Sequence, residues 1–199
     1  MLTPMTETNE GEYEEAKSER PFRWTGQDLS VILRNRSPSD GEALEAIARE
    51  THRLDGYPMY LPGDLRSFIV NEDALGAWVA ADHNEVLGHV ALHDGGAREV
   101  MDVVLAATGV GKDSIAFVAR LLVAPAARRR GIGRALLGKA TREAVQLGRR
   151  AVLDVVEDHK AAITLYENCG WTRVGRVDWN LPGDLPLHEF VYLAPDPAR

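Results

Sequence analysis

Residues 114–123 read Ser-Ile-Ala-Phe-Val-Ala-Arg-Leu-Leu-Val, a nearly continuous apolar run. Such a run suits a strand buried on both faces of a sheet. Pro125 ends it, because proline cannot donate to a ladder. A basic, glycine-containing segment follows, Arg128-Arg129-Arg130-Gly131-Ile132-Gly133-Arg134. Residues 131–147 then carry Ile132, Leu136, Ala140, Ala144 and Leu147 at helical spacing, closed by Gly148. A second apolar strand occupies 151–156. Strand, helix and strand in this order imply a parallel pair joined by a crossover helix.

The remaining segments must fit around that pair. Residues 29–36 read as a strand with Val31 and Leu33 on one face. Ser37-Pro38-Ser39-Asp40 reads as a turn and helix N-cap, and 41–53 as a helix presenting Leu44, Ile47 and Ala48. A short helix is expected within 61–71. Residues 74–81 and 86–93 read as a hairpin. Residues 97–107 are open between helix and elaborated loop. A short helix at 159–168 places Ala162, Leu165, Tyr166 and Cys169 on one stripe ahead of Gly170. The strands 172–179 and 187–193 flank a loop, 180–186. The expected fold class is therefore α/β, with a mixed parallel and antiparallel sheet.

The 199 residues suit one domain with a tail. Residues 1–20 hold six acids and two bases with few apolar groups, so 1–27 is expected to be an acidic, disordered tail ahead of a single domain at 28–195. The net charge of −7 falls to −3 without those 20 residues. That balance argues against a nucleic-acid binder. One cysteine, Cys169, excludes an intrachain disulfide and points to a reducing, cytoplasmic setting. No apolar run is long enough to span a membrane, and the first residues do not read as a secretory signal. The six histidines form no metal-ligand spacing, so no metal is expected. Cys169 reads as packing.

The loop at 128–134 carries the chemistry. A helix N-terminus offers unpaired N–H groups and the positive end of the macrodipole. Glycines permit close backbone approach and arginines add charge, so the segment suits a pyrophosphate. It is not a Walker loop, since no Gly-Lys-Ser/Thr follows. It is not the dinucleotide fingerprint, since Leu136 stands where the third glycine belongs.

Val123-Ala124-Pro125 with Arg128-x-x-Gly131-x-Gly133-Arg134-Ala135-Leu136-Leu137 resembles the acetyl-coenzyme A (acetyl-CoA) signature of the GNAT superfamily of N-acetyltransferases. Residues 162–171, Ala-Ile-Thr-Leu-Tyr-Glu-Asn-Cys-Gly-Trp, resemble the Ala-x-x-Leu-Tyr-x-x-x-Gly-Phe/Trp element of the same superfamily. The resemblance covers about 114–177, and there it is similar to bacterial ribosomal-protein N-terminal acetyltransferases. It implies a three-layer α-β-α fold whose two central parallel strands splay apart. It implies that the 121–123 segment bonds the pantetheine arm, through the backbone of Leu121 and Val123 on either side of Leu122. Backbone amides of Arg129, Arg130, Gly131, Ile132, Gly133 and Arg134, after Arg128, would hold the pyrophosphate of the co-substrate. His159 falls where many members carry an Asn that contacts the cofactor.

The resemblance also implies direct acetyl transfer to an amine. Tyr166 is then the acid that protonates the leaving thiolate, and a phenol of ordinary pKa near ~10 is protonated at neutral pH as that role requires. Asp154, alone on an apolar strand, matches the position of a family base, with Glu157, Asp158 and a water relay as alternatives. The segments 53–62 and 179–186, with Tyr57, Tyr60 and Trp179, are expected to shape the acceptor side. The acceptor is expected to be a primary amine, on a small molecule in preference to a protein N-terminus or lysine, served by a monomer or homodimer. A non-catalytic acyl-CoA-binding module is the alternative of another class.

Overall fold

The computed structural model describes residues 22–23, 30–59, 61–71, 73–83, 85–181 and 185–196. Eight strands form one sheet in the order β1-β2-β3-β4-β5-β6-β8-β7. They are β1 (Phe22–Arg23), β2 (Val31–Asn35), β3 (Gly76–Asp82), β4 (Glu85–His93), β5 (Ile115–Val123), β6 (Arg150–Val156), β7 (Thr172–Leu181) and β8 (Leu185–Leu193). The β5/β6 pair is parallel and every other pair is antiparallel. The crossover between β5 and β6 is the helix α4 (Ile132–Gln146), as the apolar runs require.

Alternation along β6 separates two faces. Leu153 and Val155 join a core with Leu136, Leu137, Ala140 and Ala144 of α4 and Tyr166 of α5 (Lys160–Asn168). Val152 instead packs with Val100 and Val104 of α3 (Arg98–Thr108). At the other half of the sheet, Val79, Val86 and Leu122 meet Leu44 and Ile47 of α1 (Gly41–Asp55) and Leu65 and Ile69 of α2 (Leu65–Ile69). The result is a three-layer α-β-α mixed fold. Each buried large aliphatic side chain contributes roughly 1.5–3 kcal/mol.

Several expectations change in detail. Leu147 is 53% exposed, because α4 has ended and the chain turns at Gly148. Asp40 makes no cap hydrogen bond at α1; its carboxylate takes a bidentate bond from Arg34, and Ser37 caps the preceding turn. The stretch left open at 97–107 is helical from Arg98 to Thr108, with Val100 and Val104 on the buried stripe. Within the expected tail, Phe22–Arg23 pairs with β2, so the sheet begins before residue 28. The rest of 1–27 lies outside the described residues. The strand expected to end at Trp179 continues through Asn180, which pairs with Pro186 rather than lying in a loop. No helix among the described residues is long and apolar enough to cross a membrane.

The sheet is interrupted where β5 bends. Opposite Val90 of β4, β5 carries two residues, Arg120 and Leu121, between the paired positions Ala119 and Leu122. Arg120 sits at φ 53°, a left-handed conformation that costs a non-glycine residue free energy. Its guanidinium donates to the Phe68 carbonyl and to His93 Nε2 (3.0 Å) and lies 4.6 Å from the Phe68 ring. Its own carbonyl accepts from His89 Nδ1 at 3.0 Å. Burial lowers His89 to about 4, so the ring stays neutral and Nδ1 carries the proton. These bonds offset the cost of the bulge. Gly88 of β4 passes beside it, where a Cβ would lie 2.7 Å from the Leu122 carbonyl oxygen and 3.0 Å from Leu136. Gly88→Ala is therefore expected to cost about 2 kcal/mol and to lower Tm by roughly 4–8 °C in a thermal melt.

Candidate functional site

β5 and β6 pair only through Ile115–Arg150, Ala116–Ala151 and Phe117–Val152. Beyond Phe117 the bulge carries β5 away. The strands part around a cleft of about 690 Å³ lined by Val118–Val123, Asp154–Val156, the start of α5 and Tyr57, Phe68 and Glu189. Backbone N–H and C=O groups that parallel pairing would have consumed are left for a ligand there.

The N-terminus of α4 stands beside this opening. Gly131 is its N-cap at φ 83° and makes no side-chain cap bond, and Arg129 is also left-handed at φ 66°. The first-turn amides of α4 therefore have no partner within their own helix. Gly133 lines the cleft, and a Cβ there would come within 3.2 Å of Leu165 and 3.6 Å of Val123. Glycine thus lets the helix end lie against β5 and α5. This cradle fits a phosphate-bearing chain.

The candidate residues separate into two groups. Leu121, Leu122, Val123, Arg128, Gly133, Asp154, His159 and Tyr166 all line the cleft. The Leu122 side chain packs under α1, so its backbone is the part offered to the cleft. Arg129, Arg130, Gly131, Ile132 and Arg134 are not among the lining residues. The Ile132 side chain is buried in the core against α4 partners. Arg130 reaches Asp82 at 4.0 Å. Arg128 pairs with Asp55 at the end of α1, so the signature arginine is bonded across the cleft. Arg129 and Arg134 are exposed.

At the other end, Tyr166 is buried, with its ring 5.9 Å from Tyr192 and 6.2 Å from Trp171. Burial, with Tyr57 and Asp154 nearby, pushes its phenol above the ordinary value of 10.0. The hydroxyl is therefore protonated throughout the neutral range. Asp154 is largely buried, and desolvation together with Glu189 of β8 raises it from 3.8 to about 7. Tyr57 enters from the connection after α1, which Gly56 ends at φ 72°. Its ring meets His159 edge-on at 5.7 Å, and burial pushes its phenol to about 12.

Of the other expected residues, Glu157 faces Arg176 at 3.8 Å and is not a lining residue, whereas Asp158 is exposed at the cleft. Cys169 packs partly buried against the core, and burial raises its thiol pKa. Tyr60 lies outside the described residues. Among those residues, no cluster of His, Cys, Asp or Glu is arranged to hold a metal ion. Sequence reasoning missed Glu189, Phe68, Asp55 and Arg120. The alternation of Leu187–Leu193 assigns 189 to one face, but only the pairing with β6 brings it to Asp154.

Residues 42–171 match the family model described as the acetyltransferase (GNAT) family. No curated protein matches the chain in sequence. Among solved structures, Arabidopsis thaliana NAA60 in complex with acetyl-CoA is similar, at TM-score 0.64 and 22% identity over 82% of this chain and 97% of that one. The ribosomal-protein-S18-alanine N-acetyltransferase of Escherichia coli is similar at TM-score 0.59 and 18% identity, covering 83% and 93%. An N-acetyltransferase from Staphylococcus aureus Mu50 is similar at TM-score 0.62 and 18% identity, covering 82% and 96%.

A carboxyl that titrates higher in the fold than in the unfolded chain stabilises the protein at low pH, and that contribution is lost as pH rises through the folded value. Asp154→Asn is therefore expected to raise Tm more at pH 8.5 than at pH 5, by about 5 °C or more, because the penalty grows between the unfolded value of 3.8 and the folded value of about 7. Calorimetric melts at the two pH values measure this.

Proposed function

The chain belongs to the acetyltransferase (GNAT) family, and on that premise we propose that it is an acetyl-CoA-dependent N-acetyltransferase acting on a primary amine. The observation that carries the reading is the three-pair limit of β5/β6, with the uncapped end of α4 at the open side. When bound, acetyl-CoA supplies an electrophilic thioester carbonyl and a thiolate leaving group.

The chain's own residues take four roles. The backbone of Leu121–Val123 binds the pantetheine arm and offers an N–H donor where negative charge develops on the carbonyl oxygen. The amides of Arg129 to Arg134 hold the pyrophosphate, with Arg128 and His159 at the cleft wall. Tyr166 holds the proton that the departing sulfur needs, and its raised pKa keeps that proton in place until then. Asp154, near 7, accepts a proton from the acceptor amine.

A small-molecule amine is favoured over a protein terminus. Tyr57 against His159 and Asp55 against Arg128 both span the cleft, and they narrow the approach an extended peptide would need. Protein N-termini remain the second reading, supported by the similarity to N-terminal acetyltransferase folds.

Thiol release from acetyl-CoA across a panel of amines and peptides tests the proposal. Release is expected to depend on the acceptor and to be faster with small primary amines. Tyr166→Phe is expected to lower kcat about 100-fold or more with little change in the KM for acetyl-CoA. Cofactor binding without release for every acceptor would instead mark a binding module, and a fully active Tyr166→Phe enzyme would remove the acid role.

A further inference from the structure

We propose that Asp154 and Glu189 act as one carboxyl pair, positioned by Trp179, which receives the acceptor as a primary ammonium ion and takes its proton. The inference rests on the acyl-transfer reading above and specifies its acceptor end.

Strand register brings the two acids together. Asp154 of β6 lies opposite Val191 of β8, and Val156 lies opposite Glu189. The two acids are thus diagonal neighbours on one face, and both line the cleft. The Glu189 carboxylate therefore acts on Asp154 across this diagonal and raises its carboxyl further above the ordinary value. Trp179 Nε1 donates to Glu189 Oε2 at 2.7 Å. An indole N–H only donates, so it meets an acceptor oxygen of Glu189 and fixes that carboxyl at the cleft wall. Burial and the Glu189 charge push Asp154 up to about 7, so the pair exchanges one proton near neutral pH.

The groups facing the pair are Tyr57 from the α1–α2 connection and Tyr166 from α5, and Arg120 of β5 acts on Tyr57 from the same cleft wall. His159 lies behind Tyr57. Arg120 is engaged by the Phe68 carbonyl and His93. Tyr57 and Tyr166 are both neutral at pH 7, since burial raises each phenol. The pair therefore keeps one negative charge while Asp154 is protonated, in a wall that includes Tyr57 and Phe68. A cation is the complementary ligand, and an amine arrives as one below its own pKa. The ammonium displaces the Asp154 proton to solvent. One N–H bond then breaks, its electrons stay on nitrogen as the attacking lone pair, and an O–H bond forms on Asp154.

The test follows the Asp154 carboxyl by NMR in protein carrying ¹³C-labelled aspartate, assigned with Asp154→Asn. In the wild-type protein Asp154 is expected to titrate near 7, and in Glu189→Gln about one unit or more lower, because the neighbouring charge is gone. An unmoved titration would overturn the pair, whether or not an acceptor is known. Should Glu189→Gln fail to fold, Glu189→Asp is expected to shift Asp154 downward by a smaller amount.

The second arm uses acetyl-CoA and the best amine of the panel. The acidic limb of kcat/KM is expected to move with Asp154 in Glu189→Gln, which a merely structural role would not produce. Between about 7 and the amine's own pKa, kcat/KM is expected to be flat. A tenfold rise per pH unit through that window would show that neutral amine binds, and would overturn the ammonium assignment. Absence of turnover with every amine would sink the acyl-transfer reading, while the NMR arm would still decide the pair.

Discussion

The bulge in β5 is the constraint on which the site depends. Two residues against one push β5 out of line after Ala119, and parallel pairing with β6 stops at three residue pairs. Without the bulge, β5 and β6 would zip together and consume the backbone groups that now face the cleft. The strain is localised at Arg120, whose left-handed backbone is held by its own side chain and by His89. The same side chain binds the last turn of α2 through the Phe68 carbonyl. Arg36 completes this anchoring through the carbonyls of Ile69 (3.1 Å) and Asn71 (3.2 Å). One arginine thus ties the bulge of β5 to α2 at the wall of the cleft.

The separation of the strands also explains the electrostatics. Asp154 sits on the part of β6 that has lost its β5 partner, so it is exposed to the cleft yet shielded from bulk water. Desolvation raises its pKa, and Glu189 raises it further. Tyr57 and Tyr166 are pushed in the protonated direction by the same low-dielectric surroundings. At the opposite end, glycines and helix-end amides present partial positive charge. The cleft is therefore polarised along its length, positive near the end of α4 and carboxyl-bearing near β8.

Local patterns made much of this legible. The apolar runs at 114–123 and 151–156, with a helical stripe between them, dictated the parallel pair and its crossover. Glycines at 131 and 133 marked the helix-end cradle, and Asp154 stood out as an acid on an apolar strand. The stripe of α5 points Tyr166 toward the core, and the residue is indeed buried there while also lining the cleft. What stayed hidden depends on tertiary register. Nothing local joins Glu189 to Asp154, or Asp55 to Arg128, because those contacts arise only when distant elements pack. Arg120 was read as part of a strand, since a bulge is a mismatch between two strands and not a property of one. The stretch Asn180–Pro186 is rich in turn formers and reads as a loop, yet cross-strand pairing carries β7 past Trp179 to Leu181 and begins β8 at Leu185.

The central claim is that the β5/β6 opening, roofed by the end of α4, holds acetyl-CoA. Amide NMR of the full chain during titration with acetyl-CoA tests this most directly. The expected result is saturable one-to-one binding, with the largest shifts at the amides of Leu121–Val123 and Arg129–Arg134. Saturation that leaves those amides unmoved while others shift would contradict it.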